Sequence, residues 1–181
     1  NEKMEAETLG EFAPPTLVTS RWSEMKRFGL TFKRTVIKPL HQAQSKGILL
    51  MDWPASESVS DDALATLYST LDAATEGFHR PILLQKYLPQ IVGGETRIWF
   101  LNGKILAVAH KVPKSGEFKI DMDHGSTLRR ATLTPAEKKT AAAISKRLRY
   151  RKIRMAAVDL IDARVTDFNF TSPGLLVGIE N

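Results

Sequence analysis

The chain has 181 residues, 26 basic and 20 acidic, for a formal charge of +6, and no cysteine. That length suits one domain or two small lobes sharing a cleft, and 43% apolar residues are enough for a real core. The lack of cysteine excludes disulfide staples, thiolate zinc sites and cysteine nucleophiles, and fits a reducing, cytoplasmic location. No apolar run approaches the roughly 20 residues that cross a bilayer. Asn1-Glu2-Lys3-Met4 carries neither a signal-peptide core nor an initiator methionine, so a piece of a longer protein is expected.

The first 20 residues hold a short helical stretch broken at Ala13-Pro14-Pro15, then a short strand at Leu17-Val18-Thr19. Ser20 caps a helix to Phe28. Arg34 to Leu40 is β-rich and ends at Pro39, and Gly47 to Met51 is a compact apolar strand. After a serine-rich loop, Asp61 to Ala74 places Leu64, Leu67 and Leu71 on one helical face. Pro81 to Leu88 reads as a buried strand.

Arg97 to Leu101 and Lys104 to Val108 flank Asn102-Gly103, a dipeptide suited to the positive φ angles of a type I′ turn. Residues 113–132 are polar and irregular, as expected of a mobile loop. Thr134-Pro135-Ala136-Glu137 combines a cap, a first-turn proline and a capping box. A second hairpin joins Met155–Ile161 to Val165–Thr171. Mixed strands and helices with antiparallel hairpins indicate an α+β fold in two lobes, expected at 1–84 and 85–181.

The second hairpin carries the clearest chemistry. A turn centred on Ala163 sets Asp159 opposite Asp167, with Asn169 on the same face. Opposed carboxylates repel, and a hard divalent cation such as magnesium would relieve that through oxygen ligands. Two solvated surface acids in a shifted register are the alternative. Lys38, at the end of an apolar strand, would hold a phosphate as a point charge or be an ordinary strand-end lysine. Arg97 lies beside Glu95, where a cross-strand ion pair is the ordinary expectation. Lys146, Arg147, Arg149, Arg151, Lys152 and Arg154 crowd one segment. Either a phosphate-binding patch or the solvated C-terminal end of a helix accounts for them, the second being favoured. The four histidines lack metal-ligand spacing.

These residues resemble the ATP-grasp portion of prokaryotic-type glutathione synthetase. Asn1-Glu2-Lys3, Thr16-Leu17-Val18-Thr19 and Lys38-Pro39-Leu40 match family motifs, and Gln85-Lys86-Tyr87-Leu88-Pro89 is similar to its hinge strand. Val158-Asp159-Leu160-Ile161, Thr166-Asp167-Phe168-Asn169 and Thr171-Ser172-Pro173 resemble its metal-binding end. The resemblance implies two lobes with antiparallel sheets enclosing a nucleotide cleft. Lys3 and Lys38 would contact the ATP phosphates, and Gln85, Lys86, Tyr87 and Leu88 would line the adenine pocket. Ser45, Lys46, Gly47 and Glu95 complete the implied nucleotide set. Asp159, Asp167 and Asn169 would hold Mg2+, with Mn2+ as a substitute, and Arg97 and Lys111 would act in catalysis. The implied activity joins a carboxylate to an amine through an acylphosphate, as with γ-glutamylcysteine and glycine in the family. The implied partners are a small-molecule acid and amine. No membrane is expected, nucleic acid is disfavoured, and a homo-oligomer is compatible.

The departures bear on substrate and competence. The family's glycine-rich loop is His41-Gln42-Ala43-Gln44-Ser45-Lys46-Gly47, and loss of glycine restricts close approach of backbone N–H groups to phosphate. Family Arg-x-Pro is Lys111-Val112-Pro113, and Gly-Gly-Arg is Gly125-Ser126-Thr127. A lysine gives up the bidentate fork of arginine. Asp167 replaces a glutamate of the family pattern. A nucleotide-binding pseudoenzyme, a ligase for another acid and amine, and a nucleic-acid module using 146–154 are the alternatives. The family's N-terminal substrate domain is outside this sequence, so the chain alone is expected not to turn over.

Overall fold

Two antiparallel sheets, each with its own helices and core, divide the chain. The computed structural model describes residues 2–40, 47–55 and 61–176. One unit is Pro15–Tyr87, and the other is Asn1–Pro14 together with Leu88–Asn181. The first is thus inserted in the second.

The inserted unit runs β1 (Thr16–Thr19), α1 (Trp22–Phe32), β2 (Arg34–Pro39), β3 (Leu49–Asp52), α2 (Asp61–Ala74) and β4 (Ile82–Lys86). The strand order is β1-β4-β2-β3. Met25, Ile37, Met51, Trp53, Leu71, Ile82 and Leu84 form its core. The Trp53 indole lies so close to α1 that a Cβ on Gly29 would come within 2.0 Å of it. α2 has the expected bounds, whereas α1 begins later than expected, with Arg21 at the cap position. Thr19, not Ser20, supplies the local oxygen: its Oγ1 accepts from Arg21 N at 3.0 Å and donates to Glu24.

The larger unit holds β5 (Glu95–Leu101), β6 (Lys104–Val112), β7 (Thr127–Arg130), α3 (Pro135–Tyr150), β8 (Met155–Ile161) and β9 (Arg164–Asn169), ordered β7-β6-β5-β8-β9. Both Asn102 (φ 52°) and Gly103 (φ 72°) take the positive φ of the expected turn. The capping box at α3 is present, with Glu137 N donating to Thr134 Oγ1 at 3.2 Å and Thr134 N to Glu137 Oε2 at 2.8 Å. α3 covers one face of this sheet, where Ile98, Phe100, Ile144, Leu148, Val158, Leu160, Val165 and Phe168 are buried together.

Two expectations change here. The N-terminal residues do not belong with 15–84. They form 3-10 turns at Glu2–Met4 and Ala6–Phe12, and Ala6 joins the larger unit's core. Glu5, buried, accepts from Arg147 Nε at 2.7 Å and pairs with Arg151 Nε at 3.4 Å. Burying a carboxylate demands such partners, and they lie on and just beyond α3. Nor is the stretch 113–132 uniformly irregular. Asp121 caps a 3-10 turn at Met122–His124, Gly125 (φ 99°) reverses the chain, and β7 then adds to β6 as an edge strand. Arg129-Arg130 hid that strand, because an edge needs little apolar alternation.

Candidate functional site

The face of the larger sheet opposite α3 carries the chemistry, and two register shifts put it there. In the first hairpin Phe100 opposes Ile105 but Trp99 opposes Ala107, which leaves Leu106 as an extra residue. In the second, Leu160 opposes Val165 but Asp159 opposes Asp167, which leaves Thr166 extra. A one-residue slip sends every later side chain to the other face. Without these shifts Lys111 would oppose Gly94 rather than Glu95, and Asp167 would fall on the Val158 side. With them, Lys111, Glu95, Arg97, Asp159, Asp167 and Asn169 share one face. The tight second turn explains the compensation: Asp162 (φ 49°) and Ala163 (φ 58°) form it together, which moves the pairing register by one residue from a turn centred on Ala163, and the bulge restores the pairing of Asp159 with Asp167. Thr166 Oγ1 ties the bulge to Asp159 O at 3.3 Å.

Four of the sequence candidates converge in a buried ion network. Arg97 Nε and Nη2 donate to Asp159 Oδ1 and Oδ2 at 2.7 and 2.6 Å. Lys111 Nζ lies 2.9 Å from Asp159 Oδ1 and 2.5 Å from Glu95 Oε1. The side chains of Lys111 and Asp159 are only 3% and 4% exposed. Arg97 therefore makes the expected cross-strand ion pair, and its partner is Asp159 of β8. Burial opposes the ionised form of Asp159, yet Lys111 and Arg97 overcome it and hold its carboxyl well below the usual range. Burial also opposes the charge on Lys111, and Asp159 and Glu95 outweigh that, so its ammonium holds its proton more firmly than usual. For Glu95 burial wins over Lys111, and its carboxyl is pushed up. Of the two acids on Lys111, Glu95 is the one that takes a proton first.

Asp167 and Asn169 stand next to this network. Both are half-buried, and Asn169 Nδ2 approaches Asp167 Oδ2 at 3.4 Å. Among the described residues, no group of three or more His, Asp or Glu side chains is placed to hold a metal ion. The oxygen set is instead two carboxylates and one amide. Three donor contacts to the Asp159 carboxylate leave one of its roughly four lone-pair positions. Such oxygens suit a hard cation.

In the inserted unit, two more candidates meet. Lys38, buried on β2, donates from Nζ to Gln85 Oε1 of β4 at 3.1 Å, and Gln85 Nε2 reaches Thr16 Oγ1 at 3.3 Å. The strands align because Lys38 opposes Leu83 and Gln85 opposes Val36. Lys86 is exposed with Nζ 5.8 Å from the Phe32 ring centre, and Arg34 stacks 5.4 Å from the Tyr87 ring. Leu88 begins the second segment of the larger unit, and Lys3 sits half-buried in the 3-10 turn of its first. Gly47 is exposed with φ 69°. Ser45 and Lys46 lie outside the described residues.

What sequence reasoning missed was the mutual contact of Glu95, Arg97, Lys111 and Asp159. The β6 bulge that brings Lys111 there left no signal, but the β9 bulge beside it did: apolar Val165 and Phe168 both need the core, yet they are an odd number apart, which a regular strand cannot satisfy.

Two antiparallel sheets with this strand order and this charged face define an ATP-grasp fold. D-cycloserine synthetase DcsG aligns with 99% of the chain and 64% of its own at TM-score 0.70 and 19% identity. D-alanine–D-alanine ligase from Bacillus anthracis aligns with 97% of the chain and 58% of its own at TM-score 0.62 and 17% identity. The ATP-grasp ligase PsnB, solved with a minimal precursor, Mg and ADP, aligns with 97% of the chain and 50% of its own at TM-score 0.62 and 14% identity. The chain belongs to the family described as prokaryotic glutathione synthetase, ATP-grasp domain, whose profile matches residues 2–181. Glutathione synthetase of Synechococcus elongatus is 31% identical over 173 residues, 96% of this chain and 51% of that protein. The enzyme of Bradyrhizobium diazoefficiens is 26% identical over 172 residues, 95% of this chain and 52% of that protein. The chain thus spans about half the length of the curated relatives it matches.

Proposed function

We propose that this chain serves as the ATP-grasp part of an ATP-dependent carboxylate–amine ligase of the glutathione synthetase type. ATP would phosphorylate a substrate carboxylate, and an amine would displace phosphate from the acylphosphate to form the amide. The observation that carries the proposal is the row of Arg97, Asp159 and Asp167 across three adjacent strands. Asp167, Asn169 and the remaining lone pair of Asp159 are the oxygens that would hold Mg2+. When bound, the cation would neutralise phosphate charge.

The chain's own residues would mainly position and balance charge. Arg97 and Lys111 orient Asp159 and keep it ionised. Lys38, oriented by Gln85, would supply a point charge to a phosphate.

The test is calorimetric titration of a non-hydrolysable ATP analogue with and without Mg2+, on the wild type and on Asp167→Asn and Asp159→Asn/Asp167→Asn. Magnesium-enhanced binding lost in both variants is expected. A folded wild-type chain that binds no nucleotide, or variants that keep the enhancement, would overturn the proposal.

A ligase for a different acid and amine is favoured by one observation. Lys111 stands where the family pattern has arginine, and its side chain is turned onto two internal carboxylates. The nucleic-acid alternative loses ground for a similar reason: Arg147 and Arg151 pair with Glu5, and Arg149 Nη1 donates to Ser145 Oγ at 2.7 Å.

A further inference from the structure

The charged row continues past Arg97 to the sheet edge. Arg130 of β7 opposes Ala109 of β6, and Ala109 opposes Arg97 of β5. Opposed residues share a face, so Arg130 lies in one transverse row with Arg97, Asp159 and Asp167. A second observation agrees. Leu128, two residues earlier on β7, packs on the cluster of Trp99, Ala109 and Ala157, which lies on the site side of the sheet. Arg129 opposes His110 and belongs to the other face.

The row is graded in charge, with carboxylates on β8 and β9 and arginines on β5 and β7. Arg97 and Lys111 are nearly buried and held by internal acids. Arg130 is exposed. Ala109 stands between the two arginines in the row, buried in the cluster on which Leu128 and Leu176 pack, and two strand spacings of about 4.8 Å separate the arginine backbones. Thr127, where the family pattern has arginine, opposes Val112 and so lies on the same face as Arg129, away from this row.

We propose that Arg130 anchors a carboxylate of the acid substrate at the β7 edge. The guanidinium would hold it bidentately, with the rest of the substrate directed along the row toward Asp159 and Asp167. Naming the ligand as the substrate acid rests on the ligase reading.

The experiment titrates a γ-glutamyl dipeptide, with citrate and succinate as plain carboxylate probes, into wild type, Arg130→Ala, Arg130→Lys and Arg129→Ala. The ATP analogue is titrated separately. Arg130→Ala should weaken carboxylate binding roughly tenfold or more, the scale of one charge-assisted hydrogen bond. Arg130→Lys should recover only part, since the fork is lost. Arg129→Ala should stay near wild type, and nucleotide affinity should be unchanged throughout. Carboxylate affinity indifferent to Arg130, equally lowered in Arg129→Ala, or absent in the wild type overturns the anchoring role. If nucleotide still binds in that case, the ligase reading stands. If nucleotide fails to bind while carboxylate binding depends on Arg130, the ligase reading falls and the anion site remains.

Discussion

Arg97 and Asp159 face each other across β5 and β8 and are joined by two parallel N–H···O bonds at 2.7 and 2.6 Å. Lys111 adds a second cation to the same carboxylate, and Glu95 a second anion to the same ammonium. With Glu95 ionised the four charges cancel. A divalent cation would therefore add to a network already balanced within the protein, with Asp167 the further acid in the row.

Removing one member of this network should be costly, because it strands a buried charge. Arg97→Ala should lower the stability of the larger unit by about 3–5 kcal/mol. The chain has three tryptophans. Replacing Trp22 and Trp53 by Phe leaves Trp99, in the larger unit, as the fluorescence reporter during urea unfolding. A loss below about 1 kcal/mol would place the pair among ordinary surface bridges.

Acid should act through Asp159. Its folded pKa is depressed, so its contribution is present above the unfolded value of about 3.9 and is lost as pH falls through the folded value. Glu95 works in the opposite sense: its raised pKa makes the folded state the better proton acceptor, which favours folding as pH falls. Stability of the larger unit measured from pH 5 to pH 2 should decline in the wild type, and Asp159→Asn should flatten that decline. An unchanged slope in Asp159→Asn would mean that another carboxylate governs the acid limb.

Gly29→Ala should reverse the usual sign of a helix glycine substitution. Alanine normally stabilises a helix interior by about 1 kcal/mol. On α1 the added methyl would meet the Trp53 ring at 2.0 Å, with that ring buried and its Nε1 donating to Thr35 Oγ1 at 2.9 Å. Thermal unfolding of the inserted unit should shift down, and an upward shift would show that the indole moves aside without cost.

Lys38 and Gln85 should be coupled. In a double-mutant cycle of Lys38→Met and Gln85→Ala, unfolding free energies should show an interaction of about 0.5–1.5 kcal/mol. Nucleotide affinity should fall in Lys38→Met more than in Gln85→Ala, because the amide acts through the lysine. Equal losses would assign Gln85 a direct contact of its own.

Much of this was legible in short stretches of sequence. The Asn102-Gly103 turn, the capping box at Thr134 and the bounds of α2 each depend on a few adjacent residues with strong local preferences. The opposition of Asp159 and Asp167 was also readable, although two displacements that offset one another produced it. The position of Lys111 was not readable. Its face depends on the extra residue Leu106, five positions away, and nothing in the local pattern announces a bulge there. The partnership of Glu5 with Arg147 spans 142 positions, a separation that no local periodicity encodes.

The inserted unit begins and ends side by side. Lys86 N donates to Pro15 O at 2.9 Å, and Thr16 opposes Gln85. Residues 15–87 therefore form a cassette whose two splice points are hydrogen-bonded neighbours. Such a segment can be exchanged for the matching one of a relative, or rejoined head to tail by a short linker, without lengthening the path the rest of the chain must follow. Changes to the inserted sheet and changes to the charged row would then accumulate in separate stretches of the same gene.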